Sequence, residues 1–234
     1  MTKEKKLTDQ QIDELFQFTR RHFVEWYDLQ CELVDHLAND IEELWRDNPK
    51  LTFEEVKLRS FKKFGVFGFM NVIDQRRAAM GKRYRQLIWK EYVKYFKIPR
   101  IVLTVSSIVI LVYLFKLVNH NPVFIGGIGL TLFFTPFIYA YKFQKVLHKR
   151  REKTGKKYMF EDTIAGLGGI LMYVYIPFET VAIFIDDVTW TPTSEILIAT
   201  FFVLFSLLLY IAVKIVPPQV TSILKKEHPE YKLA

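Results

Sequence analysis

A chain of 234 residues, half of them apolar and a quarter charged, has room for one globular domain or two small ones. Its single cysteine, Cys31, excludes an internal disulfide framework. The net charge of +8 invites a nucleic-acid reading, yet the densest basic runs, residues 76–100 and 142–157, each adjoin a long apolar stretch. Flanks of membrane helices carry such runs, so no nucleic-acid partner is expected. Apolar residues gather after Ile101 and charges before it, which divides the chain into two unlike halves.

The first residues are charged and lead into polar sequence, so no cleavable leader is expected and insertion falls to internal helices. Thr8, with Gln11 three residues on, opens a helix with a capping box, and Ile12, Leu15, Phe16 and Phe23 follow as its apolar stripe. A bend or break is expected near Phe23. From Tyr27 to Trp45, Leu29, Leu33, Val34, Leu37, Ile41, Leu44 and Trp45 gather on one side of a second helix. Asp47-Asn48-Pro49 stops it, and Thr52, paired with Glu55, caps a third. Gly65 and Gly68 mark a turn, after which residues 69–96 read as a long helix approaching the membrane. Its Arg76, Arg77, Lys82, Arg83 and Arg85 either touch anionic headgroups or only enforce topology.

On the second helix Glu32, His36, Asp40 and Glu43 recur along one strip beside the apolar stripe. Carboxylates and an imidazole at that spacing can ligate a metal or form a proton-sensitive cluster. With no matching His or Cys cluster elsewhere, a polar rim on a core helix is the favoured reading, and no metal ligand is assigned.

Four segments are apolar over the roughly 20 residues needed to cross a bilayer: 98–118, 123–141, 163–185 and 196–216. The links after the first and third contain no Lys or Arg, whereas the link 142–162 is read as a long basic loop carrying eight. That asymmetry places the basic loop, and with it both termini, in the cytoplasm. Glycines at 126, 127 and 129 and at 166, 168 and 169 permit close helix approach, and Pro136 and Pro177 are expected to kink their spans. Lys116 and Glu179 are the ionisable residues within the spans, at similar depth toward the outer leaflet. They can form an intramembrane ion pair or a sensing element, although the simpler reading has Lys116 reach the interface and Glu179 bond a hydroxyl or stay neutral.

Residues 27–37 (Tyr-Asp-Leu-Gln-Cys-Glu-Leu-Val-Asp-His-Leu), then Ile41-Glu42-Glu43, Phe53-Glu54-Glu55-Val56 and Phe64-Gly65, resemble the HAAS family. That is a small helical domain that commonly precedes membrane helices in bacteria. The resemblance covers about residues 24–70. It departs from the family pattern at Pro49-Lys50-Leu51, where glycine is usual, and at Val66-Phe67, where a polar residue or proline is usual. Members are linked with PadR-type regulators and thought to act in signalling, so the resemblance implies a regulatory membrane protein. It transfers no functional residue.

The chain is therefore expected to be an all-α integral membrane protein. A cytoplasmic helical domain (1–80) and a basic juxtamembrane helix (81–97) come first, then four transmembrane helices (98–216) and a cytoplasmic tail (217–234). A regulatory or sensory role leads, with the lipid bilayer and a cytoplasmic protein as partners and assembly into an oligomer left open. A small transporter or channel-like protein using Glu179 and Lys116 is the alternative, and a membrane enzyme acting on lipid has the least support. No catalytic motif, metal site or cofactor is read from the sequence.

Overall fold

In the computed structural model residues 5–166 and 190–228 are described, and among them the protein is almost entirely helical, with no strand. In chain order the helices are α1 (Asp9–Arg21), α2 (Tyr27–Asp47), α3 (Phe53–Lys62), α4 (Met70–Val93), α5 (Arg100–Leu117), α6 (Pro122–Thr154) and α7 (Met159–Ala165). After the undescribed stretch come α8 (Pro192–Tyr210), a π-helical segment (Ile211–Ile215) and α9 (Val216–Glu227). Two compact units result, one of Met1–Gly81 with Arg151–Glu161, the other of Lys82–Arg150 with Asp162–Ala234.

The first unit is a small helical core on a water-soluble plan. Thr8 accepts from the Gln11 amide at 3.3 Å and Gln11 accepts from the Thr8 amide at 2.9 Å, so orphan donors at the start of α1 are satisfied. Thr52 and Glu55 form the same reciprocal box on α3, at 3.3 and 2.8 Å. Leu29, Leu33, Leu37, Ile41 and Trp45 of α2 are buried with Leu15 of α1 and Val56 of α3. Each such leucine is worth about 1.5–3 kcal/mol of burial. Trp45 donates its indole N–H to the Leu51 carbonyl at 3.1 Å, tying the end of α2 to the turn before α3.

Two expectations shift here. Phe23 leaves the apolar stripe because α1 ends at Arg21; Val24 is buried while Phe23 turns outward. The segment from Arg151 to Glu161 belongs to this unit rather than to a free loop, as described below.

In the second unit, α5, α6 and the continuous helical run Pro192–Glu227 are three helices long and apolar enough to cross a membrane. The segment 163–185 expected to supply a further span lies mostly outside the described residues, as does Pro177. α6 runs unbroken through 136 and on to Thr154, so much of the expected basic loop is helical. Residues 142–154 contain neither glycine nor proline, and Gly155 ends the helix in the left-handed region (φ +63°). At 1.5 Å per residue its 33 residues span about 50 Å, well beyond a hydrocarbon core of about 30 Å.

The expected tail is also helical. α8 passes through the π segment into α9, whose Val216, Pro217, Val220 and Leu224 are buried. Widening to i→i+5 bonding accounts for this: the Val216 amide donates to the Ile211 carbonyl, and the next bond in that ladder would need an N–H that Pro217 lacks. Tyr84 supplies the donor instead, its hydroxyl bonding the Ala212 carbonyl at 3.0 Å.

Candidate functional site

Within the second unit, a cluster at the α5–α6 link and the start of α8 gathers ionisable groups in an otherwise apolar setting. Thr191 caps α8 through a reciprocal bond with Ser194, which fixes the first turn and turns Glu195 inward. The Glu195 side chain is 7 % exposed. His120 donates Nε2–H to its Oε1 at 2.9 Å, and Lys116 Nζ lies 3.4 Å from Oε2. Trp190 stacks on the His120 ring, centroids 4.5 Å apart, and Phe115 lies beneath. Asn119 and His120 take positive φ, a tight left-handed link that returns the chain from α5 to α6 and brings His120 beside α8.

Buried carboxylates need charge partners, and this one has a cation and an imidazole. The arrangement pins the α5–α6 link to the head of α8 over the apolar contact of Phe115, Ile125, Ala199 and Phe202. Chemically it is an ion-pair staple. No group of His, Cys, Asp or Glu able to hold a metal ion is found there among the described residues. Lys116 thus has Glu195 as its partner here, a residue other than the expected Glu179, which lies outside the described residues. His120 and Glu195 give little signal in the sequence, because one sits in the short polar link 119–121 and the other at the polar edge of a span. The retrievable signal was that Glu195 directly follows a Thr-x-x-Ser cap and so begins a span.

The strip on α2 is well placed but already partnered. Glu32 pairs with Arg76 at 3.2 Å, and Asp40 pairs with Lys63 at 3.2 Å and accepts from the Ser60 hydroxyl at 3.1 Å. With His36 and Phe64 these residues border a shallow cavity of about 290 Å³. Glu43 lies one turn beyond, exposed. Lys63, the residue capping the end of α3, and Arg76 of α4 thus hold the two carboxylates, so the strip works as a seam between helices, and no group able to hold a metal is found among the described residues.

A second seam, invisible in the spacing, joins α2 to the residues after α6. The Met159 amide, first of α7, donates to both oxygens of the Asp28 carboxylate at 3.2 and 3.3 Å. The Tyr27 amide donates to the Lys157 carbonyl at 2.7 Å, and Lys157 pairs with Glu25 at 2.8 Å. Lys156 sits 3.7 Å over the Tyr27 ring, and Tyr158, edge-on to it, is buried. Asp28 thus serves as an N-cap supplied from another helix, a contact between residues 131 positions apart.

Further along α4, Arg83 pairs with Glu227 at 2.7 Å, and Glu91 accepts from Gln219 at 3.2 Å. The Lys94 ammonium beside Glu91 holds its carboxyl below the usual range, while burial pushes the Tyr84 hydroxyl up and keeps it a donor. No family model, curated protein or solved structure matches this chain.

Proposed function

We propose that this is a multi-pass membrane protein with a regulatory or sensory role, acting through a cytoplasmic N-terminal helical domain. The single observation that carries the reading is the docking of residues 151–161 on α2 through Asp28 and Tyr27. A segment held on the N-terminal helices lies on their side of the bilayer, so an even number of crossings separates the two, and α5 and α6 supply them. The basic residues of that segment argue that the shared side is the cytoplasm. Pairing of Arg83 with Glu227 brings the end of α9 to α4, which supports a cytoplasmic C-terminus and hence four spans, the remaining one at 163–185.

The same docking suggests how a signal passes. A partner that binds the N-terminal helices and prefers one placement of the 151–161 segment biases the helices continuous with it, and a change in the spans biases the partner in return. The HAAS-like pattern of α2 and α3 agrees with such a role, and a cytoplasmic protein is the partner it implies. No catalysis is proposed.

The test uses the full chain in membranes. In inside-out vesicles trypsin should spare Lys156 and Lys157 in the wild type and cut there in Asp28→Ala, and photo-crosslinkers on the outer face of α2 should capture one protein whose yield changes in that variant. Crosslinks to bystanders only, unchanged by Asp28→Ala, would remove the regulatory reading. A C-terminal reporter enzyme active outside the cell would remove the topology.

A further inference from the structure

Two loops carry apolar side chains to one end of the first unit and leave them exposed. The His22 ring lies 4.5 Å from that of Phe61 and 6.0 Å from that of Phe69, while Phe18 meets the same two at 5.1 and 6.3 Å. This aromatic cluster ties the end of α1 to the turn between α3 and α4. Immediately beside it, Phe23 is 77 % exposed, Val66 99 % and Phe67 71 %.

Neither loop is slack. Phe23 is held at φ +64°, a conformation costly for a bulky aromatic, and its ring gains no packing in return. The other turn needs the positive φ of Gly65 and Gly68, and a Cβ on Gly68 would lie 2.8 Å from the Phe61 ring. The tips are thus presented by a built scaffold.

Exposed cations rim them: Arg20 and Arg21 precede Phe23, and Lys62 and Lys63 precede Phe64. Arg20 bonds Gln30 and Lys63 pairs with Asp40, whereas Arg21 and Lys62 extend from the last turns of α1 and α3. Apolar tips within a lysine and arginine rim suit the headgroup boundary of an anionic bilayer. Protein interfaces are, by contrast, depleted in lysine. Apolar helices of membrane-crossing length in the same chain keep a bilayer at high effective concentration.

We propose that this end of the N-terminal unit is a membrane-docking surface. Phe23, Val66 and Phe67 enter the headgroup–acyl boundary of an anionic leaflet, and Arg21 and Lys62 meet its phosphates. The surface uses none of the residues that make the Asp28 seam and does not depend on the regulatory reading; it needs only that the chain resides in a bilayer.

The experiment labels Val66→Cys with an environment-sensitive dye, in a full chain whose Cys31 is replaced by serine, and reconstitutes it in nanodiscs of phosphatidylcholine with or without phosphatidylglycerol. Anionic discs should shift the emission to the blue and make it quenchable by lipids spin-labelled near the headgroup. Arg21→Gln with Lys62→Gln should lower the docked-to-undocked ratio by roughly 30-fold, about a factor of five per cation. A dye that reports water in both disc types overturns the proposal. So does a shift that needs added cytosolic protein, which would assign the surface to a protein partner. Because Val66 is almost wholly exposed, the label leaves the core intact, and circular dichroism matching the wild type serves as the control.

Discussion

The two units treat the same residue types in opposite ways. In the first, Leu15, Leu29, Leu37 and Trp45 are sealed inside and most charged side chains face out, Asp28 and Lys57 being buried with partners, so stability comes mainly from apolar area taken from water. In the second, α5 leaves Val102, Leu103, Val105, Val109 and Ile110 exposed, and its polar groups turn to the backbone, as when Ser107 donates to the Leu103 carbonyl at 2.8 Å. Such a surface finds its apolar surroundings in lipid rather than in the chain. The difference teaches that helix periodicity alone does not say what an apolar residue touches; the neighbouring medium does.

Core truncation tests that contrast most severely. Trp45→Ala should cost about 3–5 kcal/mol in the first unit, read as faster hydrogen exchange of α2 amides in detergent-solubilised protein, because it opens a cavity and removes the indole bond to the Leu51 carbonyl. Val105→Ala on α5 should move the exchange of its own helix by well under about 1 kcal/mol. Equal losses at the two sites would mean that α5 is packed against protein, and the comparison would fail.

A middle-sized effect is expected at the ion-pair staple. Glu195→Leu leaves Lys116 and His120 without their acceptor and should cost about 1–3 kcal/mol, at the low end because Lys116 is 56 % exposed and can turn to water. Proteolysis at the α5–α6 link reads it; cleavage no faster than in the wild type would show that the staple holds nothing.

The smallest effect sharpens the comparison from the water-facing side. Thr52→Ala should cost about 1 kcal/mol by removing the cap of α3. The hydrogen bond from the Thr52 amide, then that from its hydroxyl, hold the Glu55 carboxyl below the usual carboxylate range. A folded-state value below the unfolded one stabilises above the unfolded pKa and is lost as pH falls through the folded value. Protection of α3 should therefore decline under acid through and below the ordinary carboxylate range, and Glu55→Gln should flatten that decline. An identical acid profile in the variant would detach the carboxylate from the cap.

Much of the helical framework could be read without coordinates. Both capping boxes, the stop at Asp47 and the glycine turn at Gly65 depend on residues within a few positions of one another, and local geometry settles those. The apolar lengths of α5 and α8 are likewise properties of a continuous stretch.

Partner choice across the chain was decided only in three dimensions. Asp28 reads as an ordinary first-turn acid until Met159 is brought to it, and Tyr84 as a juxtamembrane aromatic until Pro217 leaves the Ala212 carbonyl without its donor. Glu195 likewise reads as a link residue until the left-handed turn at Asn119 and His120 delivers its imidazole. The physical reason is range: caps and periodicity act over one helical turn, whereas these bonds join residues 75 to 131 positions apart and exist only once the helices have docked.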